Sequence, residues 1–241
     1  MDSVRDQSIV VVGASSGMGR ASAARLARDG HRVLAVARRA ERLEELREDL
    51  RKDGQTLATC AADATQVAEV DRVIATAVEQ FGRIDALVYA TGTNIPSRSL
   101  EVLSAEDWEL LLRTNLTGAF LCTKTVLPVM RRQQSGLIVY LSTGAVQHPD
   151  VSGVAYQASK HGLNGLSYGT RVEEKKNGIR TTILYPGLCD TEILLKRPVP
   201  TPKEVVERAL RPEDVADVVA FLCTMDPRCH VPEMQLFPAF V

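Results

Sequence analysis

The chain has 241 residues, 45% of them hydrophobic and 24% charged, a balance that supports one domain with a well-buried core rather than a disordered segment. Its formal net charge of −1 carries no electrostatic footprint for nucleic acid or an anionic membrane. No run of about 18 apolar residues occurs, so no membrane span is expected.

Strand and helix signals alternate along the chain. Ser8 to Val12 is a short β-branched run, followed by a helix to Arg28 that Gly30 stops. Arg32 to Ala37 reads as a second strand, Ala40 to Lys52 as a charged helix ended by Gly54, and Thr56 to Cys60 as a third strand. Thr65 is placed to cap a helix whose apolar positions Val67, Val70, Ile74, Ala77, Val78 and Phe81 recur at helical spacing. Ile84 to Ala90, Leu137 to Leu141 and Ile179 to Leu184 are the fourth to sixth strands. A long helix is expected around Asp107 to Arg132, with Pro128 late in it, and another over Ala155 to Lys176, ended by Asn177-Gly178. Pro212 opens a last helix to about Thr224, and Glu233 to Phe237 reads as a final strand.

The strands are continuous apolar runs, as in a parallel sheet covered on both faces. The expected fold is therefore α/β: a doubly wound parallel sheet of about seven strands with helices on both faces, Rossmann-like. No linker or repeat divides the chain, so residues 1–241 read as one domain. The irregular stretch around 187–210 reads as a lid over a substrate.

Cys60, Cys122, Cys189, Cys223 and Cys229 show neither CxxC spacing nor a disulfide framework. Free thiols and a cytoplasmic location are expected. The four histidines lack metal-ligand spacing, so no metal is expected. The N-terminus enters strand-like sequence without a basic-apolar-small leader.

Two features carry chemistry. Gly13-Ala14-Ser15-Ser16-Gly17-Met18-Gly19 joins a strand to a helix, where glycines let backbone approach a pyrophosphate and the helix start offers free N–H groups. The second strand then ends in Arg38 and Arg39 where an acid would bind the ribose of NAD(H). Two guanidiniums suit a 2′-phosphate, with Arg20 a further candidate, so NADP(H) is expected over NAD(H). Tyr156 and Lys160 stand one helical turn apart. An ammonium beside a phenol favours the phenolate, giving an acid/base usable near neutral pH.

The glycine spacing, Asp63 after the third strand, Thr114-Asn115, Tyr156-x-x-x-Lys160 and Pro186-Gly187 resemble the short-chain dehydrogenase/reductase family, in its order and over nearly the whole chain. The resemblance implies that Asp63, with Ala64, meets the adenine, and that Ala90 and Thr91 line the cofactor site. Pro186, Gly187, Leu188 and Thr191 would hold the nicotinamide end. Tyr156 would be the acid/base, Lys160 would bind the ribose and lower the Tyr156 pKa, and Asn115 would hold a relay water. Thirteen-residue spacing to Tyr156 puts Thr143 at the substrate-orienting hydroxyl, with Ser142 the alternative. The family's long helices imply a homodimer or homotetramer.

Two departures stand out. Tyr89-Ala90-Thr91-Gly92 replaces the family's Asn-Asn-Ala-Gly, and Val12 replaces a common Thr. Both read as altered structural contacts. The C-terminal Val231 to Pro238 stretch and the paired arginines look more like the branch containing serine-type 3-hydroxy-acid dehydrogenases. The expected activity is hydride transfer between nicotinamide and a carbonyl or alcohol carbon of a small molecule. A cofactor-binding regulatory protein without turnover is the alternative, and reduction of C=N or C=C bonds a third. The expected pocket wall includes Thr93, Asn94, Ala145, Gln147, His148 and the loop Leu188 to Pro200, with no evident basic clamp for a carboxylate beyond Arg197 and Lys196, loop cations that could swing in but read as solvated.

Overall fold

The computed structural model describes residues 6–240. Seven strands lie in one parallel sheet of order β3-β2-β1-β4-β5-β6-β7. They are β1 (Ser8–Val12), β2 (Arg32–Ala37), β3 (Ala58–Ala61), β4 (Ala86–Tyr89), β5 (Gly136–Leu141), β6 (Ile179–Pro186) and β7 (Glu233–Leu236). The helices are α1 (Gly17–Arg28), α2 (Ala40–Lys52), α3 (Val67–Phe81), α4 (Ala105–Leu112), α5 (Gly118–Gln133), α6 (Val154–Glu174), α7 (Lys203–Val206) and α8 (Pro212–Thr224).

Side chains alternate across each strand, so β1 feeds two cores at once. Ile9 and Val11 pack with Ala23 and Leu26 of α1, Leu43 and Leu46 of α2 and Val219 of α8. Val10 and Val12 pack with Val70 and Ile74 of α3, Val126 of α5 and Leu163 of α6. This two-sided burial is why the strands read as unbroken apolar runs. Strand order reverses between β1 and β4, which opens a crevice outside their carboxyl ends.

Element ends follow local chemistry. Gly30 and Gly82 take positive φ, 87° and 75°, where α1 and α3 stop. Pro212 opens α8, and the Asp214 carboxylate accepts from Arg211 N–H at 2.7 Å.

Several boundaries differ from expectation. Thr65 does not cap α3: its hydroxyl donates to Asp63 Oδ1 at 2.8 Å, and the helix starts after Gln66. The third strand is shifted to Ala58–Ala61, where it pairs with Leu34 to Ala37. The long helix is divided: α4 and α5 are joined by a π-helical turn, Arg113–Thr117, that contains Asn115. The region 187–210 is partly ordered, with a 3₁₀ turn at Glu192–Lys196 and the short α7.

The Tyr89 departure has a structural account. Its fully buried phenol donates to the Thr114 carbonyl at 2.7 Å, tying the end of β4 to the π turn. Gly118 makes room for it, since a Cβ there would collide with the Tyr89 hydroxyl.

Candidate active site

The turn after β1 is shaped by sterics. Gly13 has φ 95°, and a Cβ on it would stand 2.7 Å from Thr91 N. A Cβ on Gly19 would run into the Gly13 carbonyl oxygen. Gly13 and Ala14 N–H groups both donate to Val36 O, at 2.8 and 3.0 Å, which pins the turn to β2. Helix α1 then begins with no side-chain cap and no acid in its first turn. A bare turn at a helix N-terminus, with no negative charge of its own, fits a phosphate.

A cleft of about 380 Å³ runs along this turn and the ends of β2, β3 and β4. Gly13, Ser15, Ser16, Gly17, Met18 and Gly19 line it. So do Arg38 and Arg39, Asp63 and Ala64, and Ala90 and Thr91. The two arginines differ. Arg39 donates to the Ser15 hydroxyl at 3.0 Å, to the Ser16 hydroxyl at 2.7 Å and to the Glu192 carboxylate at 3.1 Å. Arg38 is exposed, and its side chain makes no hydrogen bond among the described residues. Arg20 is not part of the cleft: it donates to Arg42 O and Asp49, which turns its charge onto α2.

A second cavity of about 230 Å³ opens beside the first. Both are lined by Met18, Ser142, Tyr156 and Thr191, so they form one continuous site. Pro186, Gly187 and Leu188 line this second cavity rather than the first. Phe237 and Pro238 form part of its wall, and Gly144 and Gly187 carry no Cβ where the Phe237 ring lies. His148 meets that ring edge-on, with centroids 5.5 Å apart. Asn94 and Ala145 line it as expected, whereas Thr93 lines the larger cleft and Gln147 lines neither.

Helix α6 supplies the central pair. Tyr156 is buried at 9% exposure and Lys160 at 3%. The sequence pattern predicts a phenol acidified by its neighbouring ammonium, and the structure reverses that. Burial pushes the phenol up to about 12, the Thr143 hydroxyl and Arg98 pull it down, and Asp150 pushes it further up. Lys160 is aimed elsewhere: Nζ donates to Leu141 O at 2.9 Å, and burial pushes the ammonium down to about 8.

Ser142 and Thr143 follow the end of β5, Thr143 in extended backbone, and their side chains diverge. Thr143 lies beside the Tyr156 phenol, its Oγ1 accepting from Ala145 N–H at 3.3 Å. Ser142 turns back toward α6, its hydroxyl donating to Lys160 O over 3.4 Å.

Asn115 is fully buried and lines neither cavity. Its Oδ1 accepts from Thr93 N–H at 2.7 Å, and its Nδ2 donates to Thr93 O and the Ser159 hydroxyl, each at 3.0 Å. It thereby clips the loop following β4 onto α6. A Cβ on Gly92 would stand 3.1 Å from Lys160 Nζ and 3.8 Å from Asn115 Oδ1, so Gly92 leaves the space these two groups share. Cys189 is buried in the second cavity, and burial pushes its thiol up to about 12, too high for a thiolate at neutral pH.

Of the two cations in the second cavity, Arg197 belongs to the loop that the sequence places in the wall, whereas Arg98 escapes sequence reasoning. Arg98 lies in Pro96-Ser97-Arg98-Ser99, which reads as a solvated loop, yet it is only 8% exposed. Asn94 Nδ2 donates to Ser152 O at 3.0 Å, docking that loop against the start of α6, and no periodicity marks such a contact.

The short chain dehydrogenase family model matches residues 7–198, and the chain belongs to that family of oxidoreductases. It is 30% identical over 235 residues to a serine 3-dehydrogenase of Agrobacterium fabrum, covering 95% of this chain and 93% of the relative. It is 28% identical over 236 residues to the NADP-dependent 3-hydroxy acid dehydrogenase YdfG of Salmonella typhi, covering 95% and 94%. Among solved structures, a closed form of serine dehydrogenase complexed with NADP+ superimposes with TM-score 0.86 at 29% identity, covering 95% of this chain and 94% of that one. The regulatory reading loses its footing: Tyr89 is a sheet-to-helix tie, and a hydroxyl does stand beside Tyr156.

The buried Lys160 charge has a stability consequence. Its folded pKa lies below the usual lysine value of 10.5, so between about 8 and 10.5 the unfolded chain binds more protons and stability from this group rises with pH. Lys160→Met is expected to raise unfolding free energy at pH 7 by ~1–3 kcal/mol, with the gain shrinking as pH approaches 10.5. Urea unfolding of both proteins at pH 7 and pH 10 measures it.

Proposed function

We propose that this chain is an NADP(H)-dependent oxidoreductase, built as one domain, that moves a hydride between nicotinamide and a carbonyl or alcohol carbon of a small molecule. The observation that carries this reading is the Tyr156 phenol, which lines both cavities with the Thr143 hydroxyl at its side. The glycine turn, the uncapped start of α1 and Arg39 with Ser15 and Ser16 make a cradle for an adenosine 2′-phosphate and pyrophosphate. The NADP(H) dependence of YdfG and the NADP+ bound to the related serine dehydrogenase support the same choice.

The bound nicotinamide supplies or accepts the hydride. The chain manages the oxygen and the proton. A phenol raised to about 12 is protonated at neutral pH, ready to donate to the oxygen of a carbonyl under reduction. Thr143 holds that oxygen, and two hydroxyl donors aimed at one developing alkoxide stabilise it. Lys160, with a pKa of about 8, lines the larger cleft with Tyr156 and exchanges protons there near neutrality. Asn115 keeps the Gly92–Thr93 backbone over Lys160. The Glu192–Lys196 turn acts as a lid, held to the body by the Lys196 Nζ–Thr93 hydroxyl bond of 2.6 Å and the Arg39–Glu192 pair.

The protein is a cytoplasmic homodimer or homotetramer in this reading. All five cysteines are unpaired, which suits a reducing compartment. Helices α5 and α6 expose Phe120 at 45% and Val172 at 77%, and nothing stands within 4 Å of a Cβ on Gly165 or Gly169, a surface open to a second copy. Light scattering at micromolar concentration is expected to return a multiple of the 26.3 kDa chain mass.

Catalysis is tested by nicotinamide absorbance with NADPH and a panel of ketones and aldehydes. Tyr156→Phe is expected to bind NADPH normally and lose about 10²–10⁴ in kcat. Thr143→Val is expected to lose about 10²–10³ and Ser142→Ala far less. Near-native turnover in Tyr156→Phe would eliminate the phenol as proton donor.

The cofactor site is tested by fluorescence titration. Arg39→Ala is expected to weaken NADPH about tenfold or more, with NADH changed about twofold at most. An equal effect on both cofactors would remove Arg39 from the 2′-phosphate.

A further inference from the structure

Arg98 is unusual in how little its guanidinium does. It is 92% shielded, at 8% exposure, in the wall of the cavity that holds Tyr156 and Thr143. A guanidinium has five N–H donors. Of these, one Nη2 hydrogen bond is made, to the Lys196 carbonyl at 3.0 Å. Nε is buried without any partner. Among the described residues no carboxylate comes within ion-pair distance of it: the acid in the same wall, Asp150, is exposed, and its Oδ1 accepts from Ser152 N–H at 2.9 Å.

The chain holds this charge in place deliberately. Gly153 has φ 91°, and a Cβ on it would strike Arg98 Cβ and O at 2.7 Å, so the glycine lets Arg98 lie flat against the start of α6, one turn before Tyr156. A second guanidinium, Arg197, lines the same cavity, its Nη1 donating only to the Thr201 hydroxyl at 2.9 Å. Burial and the charge of Arg197 both work against the charged form of Arg98, with Asp150 and Tyr156 acting the other way. A buried cation with unused donors is costly unless an anion meets it.

We propose that Arg98, seconded by Arg197, is a carboxylate-binding subsite, and that the substrate is a small oxo or hydroxy acid. The proposal rests on the oxidoreductase reading above and names the substrate class of that same site. A planar fork with a free Nε edge matches a carboxylate bidentately. The cavity of about 230 Å³ leaves room for a short chain between that group and the reacting carbon. The carboxylate supplies the countercharge that the chain itself lacks there. Because Arg98 also bonds the Lys196 carbonyl, a seated carboxylate would join the lid to the body through one guanidinium.

The test compares matched pairs with NADPH: acetoacetate against its methyl ester, and dihydroxyacetone phosphate against dihydroxyacetone. The native enzyme is expected to favour acetoacetate over the ester by about tenfold or more in kcat/KM, through KM. Arg98→Met is expected to remove that preference, with acetoacetate kcat/KM falling about tenfold or more beyond any loss shared with the ester and NADPH affinity within about threefold. Arg98→Lys, which restores the charge without the fork, is expected to recover part of it. Equal use of acid and ester by the native enzyme, equal losses for both in Arg98→Met, or a preference for the phosphate ester over the acid would each overturn the proposal. Calorimetric binding of acetoacetate and its ester to the native protein and Arg98→Met, with NADP+ present and absent, separates the two levels. Acid-selective binding that Arg98→Met abolishes, in a protein that reduces none of the panel, keeps the subsite and sinks the oxidoreductase reading. Turnover of neutral carbonyls without acid-selective binding does the reverse.

Discussion

Backbone packed directly against backbone at the head of the sheet is the constraint on which the site depends. Gly13 lies against Ala90 and Thr91, and Gly19 lies against Gly13. No Cβ fits at either position, so β1, the end of β4 and the start of α1 meet with nothing between them. That contact falls where strand order reverses. The crevice is therefore shallow enough for main-chain N–H groups to reach a ligand, and α1 points its uncapped end into it.

The second organising fact is buried positive charge. Lys160 and Arg98 are both more than nine-tenths buried, and neither has a carboxylate partner among the described residues. Each instead makes one bond to a carbonyl oxygen, Leu141 for Lys160 and Lys196 for Arg98. Such groups destabilise the folded chain, and both line the cavities proposed to hold ligands. The stability comes from elsewhere, chiefly the two apolar layers that sandwich the sheet.

Polar ties run across the surface of the site. Lys196 reaches Thr93, Arg98 reaches the Lys196 carbonyl, and Arg39 reaches Glu192. All three end on the turn at Glu192–Lys196, which thereby spans both cavities. The Arg39–Glu192 pair is partly exposed, at 41% and 51%, so it contributes little to stability. Asn115 performs the matching task underneath, where a π turn swings its amide to satisfy both backbone groups of Thr93.

The sheet and its helices were legible in the residues because apolar periodicity, glycine stops and the proline at the start of α8 are local signals. So was the turn after β1, since only glycine meets its steric demands, and so was the Tyr156–Lys160 pair, since one helical turn puts both on one face. Local signals fail where a side chain's surroundings come from distant segments. Arg38 and Arg39 are indistinguishable as neighbours, and only the return of residues Ser15, Ser16 and Glu192 picks out Arg39. The spacing of Tyr156 and Lys160 suggested an acidified phenol, yet the phenol is raised because burial outweighs its neighbours and Lys160 turns toward Leu141. Arg98 looked like a solvated loop residue until Asn94 and Gly153 docked its loop on α6. Sequence by itself determined the fold, the glycine turn after β1 and the shared helix face of Tyr156 and Lys160, because each rests on steric rules within a few residues. Tertiary structure alone decided which charges are buried and what they face, because desolvation depends on the whole surrounding volume and not on the neighbours in the chain.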